Sequence, residues 1–431
     1  MKSTLTYTKE VSIIDHYDVA VLGGGPSGVC AAIEAARNGS KVILIEACGM
    51  LGGMATTALV GPFMTNYDGE GERPVVGGLY REIVERLAEK NGAILPENCD
   101  APSIHTSFIA RYHRRVTPFD SFVLQIVLDE MVKEAGVDLL LYTRFVDCIC
   151  NNGRIDTVVL AALEGMIAVS ADIFVDGTGN ADVANSAGVP TWKGEEESGV
   201  PQPGTLMFEL DNVSDDGFNE LSERPERPVK AYRTPTEGIY KVNHYRVFNT
   251  DATNSASMTR AHTEARLQVL DAYKVLKNET KGFENSNITQ VASVLGVRES
   301  RHIEGKYKIT VNDVSMGTKF DDRIAAYAFG MDVHPRNSAM SGNFKIATAN
   351  VYYVPYRSML PIGCENLLVV GKTVSCESQA AGGIRVMPCA MAIGQAAGAA
   401  ASIAIKKNID VADVDIKELQ SLLLEHSAIL D

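Results

Sequence analysis

The sequence lacks the cysteine spacings and basic runs that mark several common classes of protein. None of its eight cysteines form a C-x-x-C pair, and no histidine stands at metal-ligand spacing from a cysteine pair, so zinc and iron–sulfur sites are not predicted. The formal net charge is −14 and no block of lysine and arginine interrupts it, which argues against nucleic-acid binding. The first residues contain no apolar stretch of the signal-peptide type. We therefore expect a cytoplasmic protein with reduced, mostly buried thiols.

Long apolar runs are also scarce. The segment Cys389 to Ile405 could imitate a membrane span, but it consists largely of alanine and carries Gln395 in its middle. Its small side chains are typical of a helix that packs closely in a protein core. We predict a buried helix here and no association with a membrane.

The N-terminal part of the chain contains a nucleotide-binding pattern. The aliphatic run Val19 to Leu22 is typical of a buried parallel strand, and Gly23, Gly25 and Gly28 follow it in G-x-G-x-x-G spacing. Such glycines permit a sharp turn, close approach of a pyrophosphate, and close packing of helix on strand. A second aliphatic run ends on Glu46, where a ribose-binding carboxylate is expected. The pattern predicts a dinucleotide and leaves open whether it is a nicotinamide or a flavin nucleotide.

Three further glycine-bearing segments could bring the backbone close to a large ligand. Gly52-Gly53 follows Glu46 too soon for an ordinary nicotinamide-dependent dehydrogenase, although alone it could be a plain surface turn. An apolar strand over residues 171–176 runs into the turn Asp176 to Gly179. Near the C-terminus, Gly382 to Pro388 precede the alanine-rich helix, and Pro388 suits its first turn.

The length of 431 residues favours two associated domains, and the composition changes between residues 188 and 350. Aliphatic runs shorten there, which predicts a second domain inserted into the first. Its longest helix is predicted over Thr259 to Lys277, with an apolar face made by Leu267, Leu270, Tyr273 and Leu276.

The inserted region also carries candidate substrate-binding residues. Arg298 and Arg301 flank Glu299, and His302 follows them. They could provide a positive contact for an anionic substrate or for a reduced flavin, or the arginines could form a structural ion-pair network with Glu299. His334 is a further candidate acid–base residue.

Four segments together resemble the FAD-dependent oxidoreductases of the glutathione-reductase-like flavoprotein superfamily, with a more distant similarity to fumarate reductase and succinate dehydrogenase flavoproteins. The segments are LGGGPSGVCAA with IEACGMLGGMAT, FVDGTGNADVANSAG, LGVRESRHIEGKY, and NLLVVGKTVSCESQAAGGIRVMPCAMAIGQAAGAAA. The resemblance implies an α/β fold, in which a Rossmann-like, three-layer FAD-binding domain with a central parallel sheet carries an inserted α+β domain. The expected limits are 1–60, 117–190 and 351–431 for the FAD-binding domain, and 61–116 and 191–350 for the substrate or cap domain.

The resemblance also implies a noncovalent FAD. Gly23 to Gly28 would hold the pyrophosphate and Glu46 the adenosine ribose, while the backbone of Val146 would reach the adenine. The residues from Arg385 to Met387 would lie beside the isoalloxazine ring. The full set of expected cofactor-binding residues is Gly23, Gly25, Pro26, Ser27, Gly28, Glu46, Gly52, Gly53, Met54, Val146, Asp176, Gly177, Thr178, Gly179, Gly371, Arg385, Val386, Met387 and Gly394.

The sequence lacks several motifs that the disulfide reductases and fumarate reductases of this superfamily carry, and these differences limit the reactions that the resemblance implies. It has no second G-x-G-x-x-G for NAD(P)H, no redox-active cysteine pair, and no fumarate-reductase signature of histidine and arginine. The resemblance thus implies a flavin-dependent dehydrogenase or reductase that moves a hydride between a small organic, possibly anionic substrate and flavin N5. The candidate catalytic residues are Arg298, Arg301, Arg385, His302 and His334. The alternative is an FAD-binding partner subunit or ligand-binding module with little redox turnover, and the substrate, electron partner and oligomeric state stay open.

Overall fold

A computed structural model describes residues 4–100, 102–223, 229–337 and 344–431. The strands are β1 (Ile13–Leu22), β2 (Val42–Ile45), β3 (Asp138–Leu140), β4 (Arg144–Asn151), β5 (Arg154–Ala162), β6 (Gly165–Asp176), β7 (Thr191–Lys193), β8 (Phe208–Asp211), β9 (Lys230–Arg233), β10 (Tyr240–Asn243), β11 (Asn287–Val291), β12 (Arg301–Ile303), β13 (Arg323–Tyr327), β14 (Met331–Val333), β15 (Phe344–Ile346), β16 (Tyr352–Pro355) and β17 (Leu367–Val369). The helices are α1 (Pro26–Arg37), α2 (Gly78–Glu89), α3 (Ala110–His113), α4 (Ser121–Glu134), α5 (Asp182–Ser186), α6 (Asp215–Glu223), α7 (Ser255–Glu279), α8 (Val311–Met316), α9 (Ala381–Ile384), α10 (Met387–Lys407) and α11 (Ile416–Glu425).

The central sheet has the order β3-β2-β1-β6, with β17 added beside the C-terminal end of β6, and all of these strands are parallel. The N-terminal part of β6 instead pairs with β5, which pairs with β4, so these three strands form an antiparallel meander. The turn of the β4–β5 hairpin falls at Asn152 and Gly153, which both have positive φ as a tight hairpin requires.

Two layers cover the central sheet, one on each face. Val19 and Val21 of β1 belong to the core that also contains α1, α4 and α10. Ala20 and Leu22 point the other way, into a core shared with the meander and α5. Burial on both faces explains why β1 ends in an unbroken aliphatic run. The predicted Rossmann-like, three-layer α/β fold is confirmed.

Helix α10 is the alanine-rich segment predicted to be buried. It is long and apolar enough to cross a membrane, but 89% of its apolar window is buried inside the protein. The backbones of α10 and α1 are in direct contact. A Cβ on Gly394 would lie 2.0 Å from the carbonyl oxygen of Ser27, and a Cβ on Gly398 would lie 2.3 Å from the carbonyl oxygen of Ala31. The small residues therefore allow two helix backbones to touch.

A second antiparallel sheet, ordered β11-β8-β10-β9, has its own hydrophobic core together with α6 and α7. The predicted apolar face of α7 was wrong in part, since Leu267 and Leu270 are 67% and 46% exposed. The buried face is instead made by Ala261, Ala265, Val269, Ala272 and Leu276. Small side chains let the helix lie close to the sheet, so the larger leucines face outward. The predicted limits of the two domains stay a prediction.

Candidate functional site

The first glycine turn lies at the C-terminal end of β1, where it contacts the turn after β6. Gly23 has a φ of +104°, and a Cβ there would lie 2.4 Å from the carbonyl oxygen of Gly177. A Cβ on Gly28 would lie 1.9 Å from the carbonyl oxygen of Gly23. The backbone N–H of Gly177 donates to the carbonyl of Leu22 at 2.8 Å. Close backbone contacts therefore explain two of the three glycines in the pattern.

Gly25 differs from these two glycines because it borders open space. It is the N-cap residue of α1, and among the residues that the structure describes no atom lies within 4 Å of the Cβ it would carry. The first N–H groups of a helix point beyond its N-terminus and favour an anion there. Pro26 and Ser27 form the first turn of α1 behind this space. The arrangement suits a pyrophosphate.

Glu46 holds the glycine turn in place from the neighbouring strand. Its Oε2 accepts a hydrogen bond from the N–H of Gly24 at 2.7 Å, and its Oε1 accepts one from Cys48 at 2.7 Å. Each carboxylate oxygen retains a further lone pair, so these contacts leave room for a ribose hydroxyl. The predicted ribose contact stays a prediction.

The Gly52-Gly53 pair is seated directly on the first glycine turn. The N–H of Gly52 donates to the carbonyl of Gly24 at 2.8 Å, and a Cβ on Gly53 would lie 2.9 Å from the Cα of Gly25. Both residues have positive φ, and Gly53 opens a 3₁₀ turn that includes Met54 and ends at Ala55. The two segments predicted to bind the cofactor are thus brought together.

The turn after β6 is ordered by one buried carboxylate. Oδ1 of Asp176 accepts from the N–H and the hydroxyl of Thr178 at 3.1 and 2.7 Å, while Oδ2 accepts from the N–H of Ala184 at 3.0 Å. Burial raises the pKa of Asp176 despite these bonds. The carboxylate shapes the turn Gly177–Gly179, which lies beside Gly23.

Three other predicted cofactor residues lie in different settings. Val146 sits at a register shift of β4 and is 48% exposed, so its backbone lies outside the regular ladder. A Cβ on Gly371 would meet the Ser27 hydroxyl at 2.6 Å, which places Gly371 behind the first turn of α1. Gly394 faces the Ser27 carbonyl in the α1–α10 interface, and its predicted cofactor contact stays a prediction.

A group of partly buried cations lies around Asp332 of β14. Arg385 donates to the Asp332 carbonyl at 3.0 Å and lies 3.6 Å from its carboxylate. Arg298 donates to the carbonyl of Pro203 and the hydroxyl of Thr205, both at 2.8 Å. Burial lowers its pKa to about 9, with a contribution from neighbouring Arg385. The group is completed by Lys230 of β9 and Arg246, whose pKa values are also lowered by burial. Val386 and Met387 continue the chain from Arg385 into α10.

Asp332 is the carboxylate that faces these four cations. Burial alone would raise its pKa, but His334, Arg385 and Arg298 hold that pKa well below the usual range. Lys230 comes from β9 of the second sheet, Asp332 from β14, Arg246 and Arg298 from segments between strands, and Arg385 from the α9–α10 junction. A buried excess of positive charge is unfavourable unless an anion offsets it. We call Lys230, Arg246, Arg298, Arg385 and Asp332 the cationic cluster.

His334 lies against the cationic cluster and is held by Asp332. Its Nε2 is 2.9 Å from the Asp332 carboxylate, and its backbone N–H donates to Gln202. Burial and Arg298 lower the pKa of His334 to about 3, so the ring is neutral near pH 7. Within the described part of the chain, Nδ1 is buried without a hydrogen-bond partner.

His302 occupies a separate position. Its Nδ1 lies 3.2 Å from the carbonyl of Val374 and 3.5 Å from the thiol of Cys376, and its Nε2 is 3.7 Å from Glu299. Burial would lower its pKa, but Cys376 and Glu299 outweigh burial and raise the pKa to about 10. The structure therefore distinguishes a protonated His302 from a neutral His334.

Arg298 and Arg301 do not form the ion-pair network with Glu299 that the sequence suggested as an alternative, because these residues pair with other partners. Glu299 pairs with Arg336 at 2.8 Å, and its other oxygen accepts from the hydroxyl of Ser378. Arg301 reaches Asp182 of α5 at 2.9 Å, away from Arg298. Arg298 and Arg301 therefore bind different partners: Arg298 contacts Pro203 and Thr205, whereas Arg301 contacts Asp182.

The family follows from a comparison of the whole sequence. The sequence model described as FAD dependent oxidoreductase matches residues 18–423. The chain belongs to the FAD-dependent oxidoreductase family. Its cofactor is therefore FAD, and the glycine turns described above are the residues that fit a dinucleotide.

Similarity to individual proteins is weaker. A segment of 41 residues is 54% identical to the soluble pyridine nucleotide transhydrogenase of Marinomonas sp. (strain MWYL1), covering 10% of this chain and 9% of that protein. A geranylgeranyl bacteriochlorophyll reductase-like protein from Thermoplasma acidophilum has a TM-score of 0.44 at 16% identity, over 96% of this chain and 84% of that one. A triple mutant of a flavin-dependent brominase has a TM-score of 0.49 at 14% identity, over 96% and 85% of the two chains. Likenesses of this strength carry no information about the reaction of this flavoprotein.

FAD fits the residues present. The open space before Gly25 suits a pyrophosphate. The backbone of Gly53 lies next to Gly25 and borders the same space. Among described residues, Nε of Arg385 is a buried donor without a hydrogen-bond partner, so a bound ligand could accept a hydrogen bond from it. The backbone of the glycine turns and the side chain of Arg385 thus both offer donors that a dinucleotide could use.

Some residues of the site were missed by the sequence analysis. Lys230 and Arg246 carry no motif, because strands distant in sequence bring them to Arg298. Lys372 follows Gly371, donates to the carbonyl of Val297 at 2.9 Å, and has its pKa lowered to about 8 by burial and Arg385. Asp332 lies in β14 and His334 follows directly after its last residue, and this spacing of two was the available signal that the two side chains share a face.

A cavity of about 580 Å³ lies elsewhere, between α1, α2 and the C-terminal segment. It is lined by Glu34, Arg37, Gln395 and His426 among others, and by none of the predicted site residues. Its volume alone does not make it the functional site.

Proposed function

We propose that this flavoprotein is a dehydrogenase or reductase that transfers a hydride between a small anionic organic substrate and N5 of its flavin. The cationic cluster is the observation that carries the proposal. Four partly buried cations lie around Asp332, and an anionic ligand would offset their excess charge. The contribution of Arg385 is central, because the chain continues from it directly into α10.

FAD would be held noncovalently along the glycine turns. Gly25 and the first turn of α1 would receive the pyrophosphate, and Gly53 would approach the same region from the second turn. Glu46 would receive the ribose. When bound, the flavin supplies the redox chemistry, as an acceptor or donor of hydride.

The protein's own residues would bind the substrate and handle its proton. Arg298 and Arg385 would orient the anionic group of the substrate by charge-assisted hydrogen bonds. Neutral His334 would accept a proton at Nδ1, with Asp332 fixing its orientation and stabilising the charge that develops on the ring. His302 would remain protonated and would not serve as the base.

The finer placement among the glutathione-reductase-like flavoproteins is part of this proposal. The parallel order β3-β2-β1-β6-β17 with an antiparallel meander supports it. A small-molecule electron partner and a cytoplasmic location are proposed with it.

The test is anaerobic reduction of the bound flavin. Purified yellow protein is mixed with a panel of small organic acids and their uncharged methyl esters, and absorbance near the flavin maximum is followed. We expect at least one acid to bleach the flavin and its ester to be much slower. Arg298→Met should abolish this preference, whereas Arg154→Met, which removes a surface ion pair with Asp410, should keep it.

Flavin that accepts electrons from dithionite but from no acid in the panel would count against the proposal. If no artificial acceptor reoxidised it either, the alternative of a partner subunit with little turnover would be favoured. A preference for esters over acids would contradict the role of the cationic cluster.

A further inference from the structure

Lys241 is a buried lysine that the flavin chemistry described above does not use. It lies in β10 of the second sheet and is 2% exposed. Its Nζ donates to the hydroxyl of Ser121 at 2.7 Å and to the carbonyl of Phe119 at 3.3 Å, and it lies 4.4 Å from the centroid of the Phe119 ring. The side chain therefore leaves the second core and enters the FAD-binding layers.

No carboxylate lies within ion-pair distance of this ammonium group in residues 4–100, 102–223, 229–337 and 344–431. Glu209 and Asp120 act on it only at longer range, and burial lowers its pKa to about 8. Burying an ammonium without an ion pair is costly, and an apolar side chain of similar length would avoid that cost. The favourable contacts of Lys241 are therefore its two hydrogen bonds and its cation–π contact with Phe119.

The hydrogen bond from Lys241 to Ser121 is part of a chain of hydrogen bonds that reaches the Gly53–Ala55 turn. Lysine can only donate, so the Ser121 oxygen accepts from Nζ and its own proton points elsewhere. It points to the carbonyl of Ala55 at 2.9 Å. Ala55 ends the 3₁₀ turn that begins at Gly53, and Gly53 contacts Gly25.

A second set of contacts holds the same turn from the same side. The N–H and hydroxyl of Ser293 donate to the carbonyl of Thr57 at 2.9 and 3.1 Å. The hydroxyl of Thr57 donates to the carbonyl of Gly53 at 2.7 Å. Lys241, acting through Ser121, thus holds the turn at Ala55, and Ser293 holds the chain just beyond it at Thr57.

We propose that Lys241 is a positioning residue for FAD: through Ser121 it fixes the Gly53–Ala55 turn in the conformation that receives the cofactor. Docking of the second sheet and affinity for FAD are coupled through this relay. The inference concerns cofactor binding and does not depend on the identity of the substrate.

The experiment measures FAD affinity of the full-length apo-protein by quenching of flavin fluorescence. Lys241→Met and Ser121→Ala should each weaken binding about tenfold, the effect of losing roughly one hydrogen bond to a charged or positioned group. The double variant should be no weaker than the worse single variant, because both changes break one relay. Ser358→Ala, which removes a buried hydroxyl bound to the Pro355 carbonyl, is the matched control and should bind FAD normally.

Two further readouts separate positioning from general stability. The melting temperature of apo Lys241→Met should equal or exceed that of the wild type, since a buried ammonium is removed, while its FAD affinity falls. Wild-type affinity should also weaken as the pH rises from 7 to 9 and the Lys241 ammonium loses its proton. Lys241→Met should lose that part of the dependence and keep the part that Lys372 contributes.

The proposal is overturned if both single variants bind FAD within about twofold of the Ser358→Ala control, which is below the effect of one hydrogen bond. Additive losses in the double variant would equally overturn it, because they would show that the two residues act separately. If Lys241→Met fails to fold, Ser121→Ala alone decides the matter.

Discussion

Nε2 of His334 lies 2.9 Å from the carboxylate of Asp332, and this contact determines which nitrogen of the ring can take a proton. Asp332 stays ionised because the hydrogen bond from His334 and the charges of Arg385 and Arg298 hold its pKa well below the usual range. Nε2 of the neutral imidazole therefore carries the hydrogen that it donates to Asp332. Nδ1 keeps its lone pair and is the basic atom of the pair.

Replacing this base should slow flavin reduction without releasing FAD. His334→Gln is expected to lower the rate of anaerobic flavin reduction by about 10²- to 10⁴-fold, the usual range for general base catalysis. Stopped-flow absorbance measures the rate, and the visible spectrum checks that FAD is still bound. An unchanged rate would exclude His334 as the base.

The same histidine should make the protein sensitive to acid. Its pKa falls from 6.5 in the unfolded chain to about 3 in the folded protein. Between these values the unfolded chain binds a proton that the folded chain does not, so stability rises with pH and is lost as pH falls through this window. The free energy of unfolding of His334→Gln, measured in urea at several pH values, should decline less steeply towards acid. Parallel curves for variant and wild type would contradict this assignment.

Gly25→Trp should abolish FAD binding and leave the apo fold intact. Gly25 has an ordinary φ of −73°, and no described atom lies within 4 Å of the Cβ it would carry, so the new side chain would start into the space proposed for the pyrophosphate. Gly28→Ala provides the contrast, because its Cβ would strike the Gly23 carbonyl and should lower the melting temperature as well. A yellow Gly25→Trp protein would refute the assigned position of the cofactor.

Gly394→Ala should destabilise the protein through the helix interface. The added methyl group would lie 2.0 Å from the Ser27 carbonyl, so α1 must move, at a cost of about 1–3 kcal/mol. Urea unfolding measures the loss, and Lys407→Ala at the exposed end of α10 serves as the control. Stability equal to that control would show that the helices separate freely.

Arg298→Met and Arg301→Met should differ in how they affect anion binding. Arg298 lies among like charges, so its removal should stabilise the apo-protein or leave it unchanged, and should reduce the rise in melting temperature that sulfate causes. Arg301→Met breaks the contacts with Asp182 and with the carbonyl of Asn180, and it should keep the sulfate response. Loss of the response in both variants would show that the two arginines share one anion site.

The parts of the molecule that the sequence predicted well are those with strong local signals. The G-x-G-x-x-G run and the aliphatic strand before it specify β1, its turn and α1, because strand burial and backbone contact each require particular residues. Asp120 likewise marks the start of α4, where its side chain accepts from the N–H groups of Phe122 and Val123.

What could not be predicted depends on contacts between distant residues. Lys230 and Arg246 join Arg298 only after the second sheet has formed, and nothing near them in sequence signals a site. The face of α7 was assigned to leucines because they are the more hydrophobic residues, whereas packing distance selected alanines such as Ala265. Lys241 is a lone lysine in a strand pattern, and its relay to Ala55 is visible only in three dimensions.

The contact between α1 and α10 has a consequence for the order in which the protein matures during synthesis. Gly28 and Ser27 leave the ribosome early, but the helix that packs on them spans residues 387–407. Contacts between such distant segments form slowly, because a long loop must close first. The turn from Gly23 to Gly28 is therefore left without α10 behind it through most of translation, and we expect FAD to bind only after the chain is complete through α10.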